Sequence, residues 1–354
     1  MESRYNLRKK ILSALSQEMR AAGEQFLEQG FFPDDYESIA QKSYAANPWF
    51  SLQNQAMALV NAANLIGSER AWNKLDSYAP YFETNEAKVV AVIPAGNIPA
   101  VGLADMFAVF LSGNIFYAKC ASSDLYWLPF LAQRIISMHA DYENLFRFES
   151  HILKNFDAAI ATGSNNTARY FHQYFAKYPH IIRMNRSSAA WLDGRETEAQ
   201  LHSLRDDMFS YYGMGCRNVS YLMVPENYDF NSLLKAGESW KEKLNFNKFI
   251  NNYEYYKSIY LLNRDVFFDN NVFLLKESDN LGSPISVIHF QRFPNKDAAL
   301  AWIQEKADAV QILVSAEEMG FIREQRLGSA QNPDLFDWPD GINVLDFLTN
   351  FEVQ

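Results

Sequence analysis

"AKVVAVIPAGNIPAVGLADMFAVFLSGNIFYAKCA", residues 87–121, decides the fold. It opens with a compact β-branched run, 87–95, that ends in Pro-Ala-Gly, the pattern of a buried strand reaching a turn. Pro99 suits the first position of a helix that ends before Gly113. "NIFYAKCA" (114–121) reads as a second strand. Continuing outward, a Leu- and Ile-rich helix is predicted at roughly 125–140. A strand "DAAIATG" (157–163), a helix over about 166–177 and a strand "HIIRMN" (180–185) follow. Strands alternating with helices indicate a parallel α/β sheet. Ligands collect at the strand C-terminal ends of such sheets. The turns Ala95-Gly96-Asn97, Lys119-Cys120 and Thr162-Gly163-Ser164 all fall on that edge.

Residues 1–80 read as helical, with "NPWFSLQNQAMALVNAANLIG" (47–67) capped by Asn47 or Ser51 and closed at Gly67. A second α/β block begins near Asp206. Its expected strands are 218–224, 257–262, 285–290 and 309–314, and its expected helices 230–244, 295–306 and 315–325. The Asn/Tyr-rich stretch 245–256 reads as a surface excursion, and 327–348 is turn-rich. The expected domains are 1–205, N-terminal helices with the first sheet; 206–326, the second α/β block; and 327–354, a segment packing back on the body. Two α/β lobes with a cleft between them is the coarse expectation.

Hydrophobic residues make up 48% and charged ones 21%, close to globular averages. A net charge of -10 argues against a nucleic-acid surface, which needs clustered Lys and Arg. The two cysteines, Cys120 and Cys216, have no second Cys or His at ligand spacing, so neither a disulfide framework nor a metal site is expected. Reduced thiols and a cytoplasmic location follow. The apolar stretch 100–113 is too short to span a membrane and is interrupted by Asp105.

Four short motifs carry candidate chemistry. Asn97 sits between a strand end and a helix start, where its amide could serve an oxyanion or cap the helix begun at Pro99. Lys119 lies at a strand end, where an ammonium could meet a ribose or phosphate or stay solvated. Gly163 and Ser164 occupy a strand-to-helix turn of the kind that binds phosphate, although no G-x-G-x-x-G follows any strand. Cys216, in "YYGMGCRNVSYLMVP" (211–225), follows Gly213 and Gly215 and is either a nucleophile or a small core residue. Arg169, Arg183, Arg186 and Arg217 are candidate phosphate contacts, and Arg217 could also lower the pKa of its neighbour.

Order and spacing say more than any one motif. Asn in a strand-to-helix turn, Gly-Asn with Lys five positions on, Thr-Gly-Ser and then Gly-x-x-Cys resembles the aldehyde dehydrogenase superfamily. "GNIPAVGLADMFAVFLSGNIFYAKCASSD", "GMGCRNVSYLMVP", "SPI" and "DGINVLDFL" are similar to its fatty acyl-CoA reductase (LuxC-type) branch, over roughly 47–348. The resemblance implies an aldehyde dehydrogenase-like α/β fold, with a Rossmann-like cofactor domain and an α/β catalytic domain. It implies Cys216 as the nucleophile acylated by an acyl-CoA, with Asn97 and the Cys216 N–H as the oxyanion hole. It further implies Lys119 and Ser122 at the adenosine ribose of NADPH, with NADH as the alternative, and Gly163-Ser164 at the pyrophosphate. It leaves room for a homodimer.

Two departures stand out. The stretch 180–194 has no acid before Asp193, where hydrolytic relatives keep a glutamate base. Glu277, Asp279 and Asn280 are the candidates for the usual nicotinamide-ribose glutamate. An acyltransferase and a non-catalytic binding module on the same fold remain the alternatives.

Overall fold

The computed structural model describes residues 3–84, 86–242, 244–333 and 336–351. Contacts group the chain into two compact units, 1–184 with 333–354, and 185–332. Each unit is built around its own sheet.

The first unit opens with three helices, Arg4–Gln29, Asp34–Ala46 and Leu52–Gly67. The third begins where its cap dictates: the Ser51 hydroxyl accepts the Asn54 N–H, as Ser and Asn do at helix starts. Leu12, Leu15 and Met19 of the first helix are buried with Leu59, Ala62 and Ala63 of the third, in one core with the sheet. The sheet comprises β1 (Val89–Ile93), β2 (Ile115–Ala118), β3 (Phe146–Phe148), β4 (Ala158–Thr162) and β5 (His180–Arg183). Its order is β3-β2-β1-β4-β5, with every pair parallel. β1 is covered on both faces, which is why it reads as an unbroken apolar run of Val, Ala and Ile. Crossover helices Leu103–Leu111, Trp127–Met138 and Asn165–Phe175 join the strands.

One expectation here is corrected. Pro99 does not open a helix; the helix begins at Leu103, with Gly102 at its N-cap position. Ala100 takes φ 60, a left-handed conformation that breaks helical continuation from Pro99. A second correction concerns Arg183, a candidate phosphate contact. Its guanidinium bonds both oxygens of Asp105 at 2.8 Å, with both residues buried, so it ties β5 to the Leu103–Leu111 helix.

The second unit holds β6 (Ser187–Trp191), β7 (Val219–Pro225), β8 (Phe267–Asp269), β9 (Leu274–Glu277), β10 (Val287–Phe293), β11 (Val310–Ser315) and β12 (Glu324–Arg326). The order is β12-β11-β6-β7-β10-β9-β8, parallel except for β8 against β9. The division between units lies ahead of residue 205 because β6 pairs with β7 and β11. The expected strand 257–262 and surface excursion 245–256 are one helix, Asn247–Asn263. Its aromatic residues imitate strand composition, yet Phe249, Tyr253 and Tyr260 recur on one buried face at helical spacing. The expected helix 315–325 is instead a turn leading into β12; the Glu324 carboxylate gathers the Met319, Gly320 and Phe321 N–H groups.

Candidate functional site

Asn97, Lys119, Ser122, Gly163 and Ser164 share the C-terminal edge of the first sheet. They follow β1, β2 and β4, which are adjacent and parallel. The Asn97 turn is anchored from below by the segment after β2. Ser123 Oγ donates to the Gly96 carbonyl at 2.7 Å. A Cβ on Gly96 would lie 2.2 Å from that same Oγ, so only glycine allows the approach. Asp124, 4% exposed, accepts the Ala100 N–H at 2.7 Å and so holds the left-handed residue in place. Burial lifts the Asp124 carboxyl to about 7, with the Ala100 N–H pulling the other way. Asn97 itself is exposed at the crest of this turn. With the helix starting at Leu103, its role as that helix's cap is removed.

Lys119 is half-buried and Ser122 exposed. Both suit the ribose end of a dinucleotide, and the edge there carries a hydroxyl where many nicotinamide sites place a carboxylate. Gly163 and Ser164 suit a phosphate less well. The Gly163 N–H already donates to the Arg183 carbonyl at 3.1 Å. The Ser164 hydroxyl caps the following helix by accepting the Thr167 N–H at 3.3 Å. Cys120, beside Lys119, is half-buried and its thiol is pushed up to about 12 by burial and then by Asp124.

Cys216 belongs to the second unit and sits just before β7, at that strand's N-terminal end. It is exposed. The chain reaches it through three successive left-handed residues, Tyr211 (φ 54), Tyr212 (φ 57) and Gly213 (φ 76). For two tyrosines that conformation is strained, and such strain persists only where surrounding contacts over-determine it. Asn218 supplies them. Its side-chain oxygen accepts the Gly215 N–H at 2.7 Å, and its amide donates to the Asp207 and Ser210 carbonyls at 3.0 and 2.8 Å. Ser188 Oγ, from β6, donates to the Cys216 carbonyl at 2.8 Å. Arg217 turns its Nε to the Ala330 carbonyl at 2.5 Å.

Acids near the missing base are committed locally. Burial opposes ionisation of Asp193, but hydrogen bonds from Arg195 outweigh it and hold the carboxyl below its ordinary value. Glu196 accepts the Asp193 and Gly194 N–H groups, and burial raises its pKa. Glu277, Asp279 and Asn280 are all exposed, and the Asn280 side chain accepts the Gly282 N–H within its own turn. Among the described residues, no group of three or more His, Cys, Asp or Glu could hold a metal, and no helix is long and apolar enough to cross a membrane.

Sequence reading passed over Asn218, Asp207, Ser188 and Asp124. Asp207 had a legible signal, since it falls at helical spacing with Leu201, Leu204 and Met208, on an otherwise apolar face. Ser188 and Asp124 had none, because their partners are distant main-chain atoms.

No family model matches the sequence, and no curated protein matches it either. Solved structures do. Aldehyde dehydrogenase 21 from Physcomitrella patens, in complex with succinate, superposes with TM-score 0.67 at 9% identity, over 98% of this chain and 85% of its own. A Mycobacterium tuberculosis aldehyde dehydrogenase complexed with NAD+ gives 0.57 at 14%, over 86% and 73%. The NADP-dependent glyceraldehyde-3-phosphate dehydrogenase of Bacillus halodurans C-125, complexed with NADP, gives 0.57 at 12%, over 88% and 73%. The chain therefore has the aldehyde dehydrogenase-like fold, a Rossmann-like parallel sheet in one unit and a second α/β sheet in the other.

Proposed function

We propose that this protein is an NAD(P)H-dependent acyl-CoA reductase that converts a fatty acyl-CoA to the aldehyde through a thioester on Cys216. One observation favours reduction over hydrolysis of such an acyl-enzyme. Between β5 and Asp193 there is no acid to activate water, and Asp193 and Glu196 are bound to Arg195, to each other's segment and to Tyr228.

In this reading the Cys216 thiolate attacks the thioester carbonyl. A bond to its sulfur forms, and CoA departs as a thiolate of pKa about 8.5, which needs little acid assistance. The Asn97 amide and the Cys216 N–H donate to the oxyanion, a contribution of ~10²–10³ in rate per donor in comparable sites. Lys119 and Ser122 hold the adenosine ribose, and Ser122 in place of a carboxylate leaves room for a 2′-phosphate. Gly163 and Ser164 flank the pyrophosphate through the end of their helix, with the Ser164 hydroxyl remaining the cap. A dinucleotide held by these residues would supply the hydride that bonds to the thioester carbonyl carbon. The carbon–sulfur bond then breaks, its electron pair returns to Cys216, and the aldehyde leaves. A reducing cytoplasm keeps both thiols free for this cycle.

The test is nicotinamide absorbance with NADPH or NADH and acyl-CoAs from acetyl to palmitoyl, beside Cys216→Ala. Oxidation that requires acyl-CoA and disappears in the variant is expected. Acylation of Cys216 without turnover would replace the reductase by an acyltransferase. Absence of both would leave a binding module.

A further inference from the structure

The structure assigns to Asp207 a positioning role: it braces the cysteine-bearing loop by gripping the segment 328–330, which in turn holds Arg217 next to Cys216. This rests on Cys216 being the reactive residue of the proposed function, but the contacts stand by themselves. Asp207 is 1% exposed, on the inward face of the helix Glu198–Phe209. One carboxylate oxygen accepts the Gly328 N–H at 2.6 Å and the other the Ala330 N–H at 2.9 Å. Ala330 passes the restraint on, since its carbonyl accepts Arg217 Nε. The Asp207 carbonyl closes the ring by accepting from the Asn218 amide, whose oxygen holds Gly215. Residues 215, 217 and 218 are thus all tied, directly or through one intermediary, to Asp207.

Gly328 is fitted to this contact. Its φ is 87, and a Cβ there would lie 2.7 Å from the Ser203 Cβ on the same helix. No other residue lets the segment pass close enough for both N–H groups to reach one carboxylate.

The charged surroundings are sparse. Burial is the largest influence and raises the Asp207 carboxyl to about 7; the Gly328 and then the Ala330 N–H oppose it, Asp206 adds a smaller rise and Arg217 a smaller opposition. Arg205 is engaged with Asp206, and Arg326, leading into the 328–330 segment, donates to the Ala316 carbonyl. When protonated, the carboxyl is a weaker acceptor for two N–H groups, so the brace slackens below neutrality and tightens above it.

The experiment is the rate of Cys216 alkylation by iodoacetamide from pH 5.5 to 9, read by peptide mass so that Cys120 is scored separately. It needs neither acyl-CoA nor nicotinamide, so failure of the reductase reading leaves it intact. Wild-type protein is expected to show a break near pH 7 besides the ionisation of the thiol. Asp207→Asn, which offers one acceptor where two are needed, is expected to lose that break and to react about tenfold more slowly at pH 8, the scale of one charge-assisted hydrogen bond. A folded Asp207→Asn with the wild-type rate and profile overturns the proposal. If that variant does not unfold cooperatively, Gly328→Ala carries the test. It pushes the segment off the helix but keeps the carboxyl, so a slower rate supports the brace and an unchanged one refutes it.

Discussion

Cys120 and Cys216 are the same residue type in two turns of opposite character. Cys120 ends a strand of the Rossmann-like sheet, half-buried above the buried Asp124, and both influences hold its proton on. Cys216 stands before a strand of the other sheet, exposed, behind three left-handed residues and beside an arginine. Burial and a neighbouring carboxylate make an inert thiol, whereas exposure and clamped main chain make an accessible one. Beneath each turn lies a buried carboxylate that accepts main-chain N–H groups. Asp207 uses both oxygens. Asp124 uses one, and its other oxygen is buried without a partner.

The largest consequence is selectivity in thiol chemistry. With a pKa near 12, Cys120 is about 10⁻⁴ ionised at pH 8, against roughly a quarter for an ordinary thiol of pKa ~8.5. Iodoacetamide should therefore modify Cys120 on the order of 10³-fold more slowly than a free cysteine, while Cys216 reacts readily. Peptide mass mapping measures both sites at once. Comparable rates would erase the contrast between the turns. Asp124→Asn should narrow it, because removing the carboxylate takes away one of the two causes and speeds Cys120 alkylation, with burial still dominant.

A smaller effect separates the carboxylates by their pH dependence. The Asp124 carboxyl, raised to about 7 in the fold against ~3.9 unfolded, binds more protons in the native state across that window. Stability from this group is therefore greatest below about pH 4 and falls as pH rises toward 7, by at most ~1.4 kcal/mol per pH unit. Urea unfolding at pH 5 and pH 8 should show wild-type protein losing more stability over that step than Asp124→Asn. Equal losses in the two proteins would mean that Asp124 is ionised throughout and that its second oxygen has a partner in solution.

What could be read from the sequence follows the range of the forces involved. Four of the five strands of the first unit were legible, because parallel strands covered on both faces leave unbroken apolar runs, and Ser51 caps its helix locally; β3, three residues at the sheet edge, left no such run. The helix Asn247–Asn263 was not, because its aromatics carry strand composition and its exposed faces also bear large apolar residues, Tyr255, Leu261 and Leu262, which blur the helical period. Ala100 at φ 60 left no mark either: its conformation is imposed by Asp124, twenty-four positions away in the chain. For the candidate site, residue types and order were visible; Asp207 showed only as an acid on an apolar helix face, and neither its partners nor those of Asp124 were legible. Their partners are backbone atoms, which every residue possesses.

The smallest prediction concerns Ser164, the residue on which the first edge divides between ligand and structure. Its hydroxyl accepts the Thr167 N–H and lies 2.9 Å from the Thr167 hydroxyl, so it completes the start of the helix Asn165–Phe175. Replacing a serine N-cap by alanine costs about 1 kcal/mol. Ser164→Ala should lower the unfolding free energy measured in urea by that amount while leaving NADPH affinity within about threefold, since a change of 1.4 kcal/mol in binding is tenfold. Fluorescence titration of the dinucleotide checks the second half. A tenfold loss of affinity with unchanged stability would reverse the assignment, making the hydroxyl a phosphate ligand and the helix start self-sufficient. Lys119→Ala is the reference for this measurement, because the half-buried Lys119 follows β2 on the same edge with no capping duty, and its loss should weaken NADPH binding by more than Ser164→Ala does.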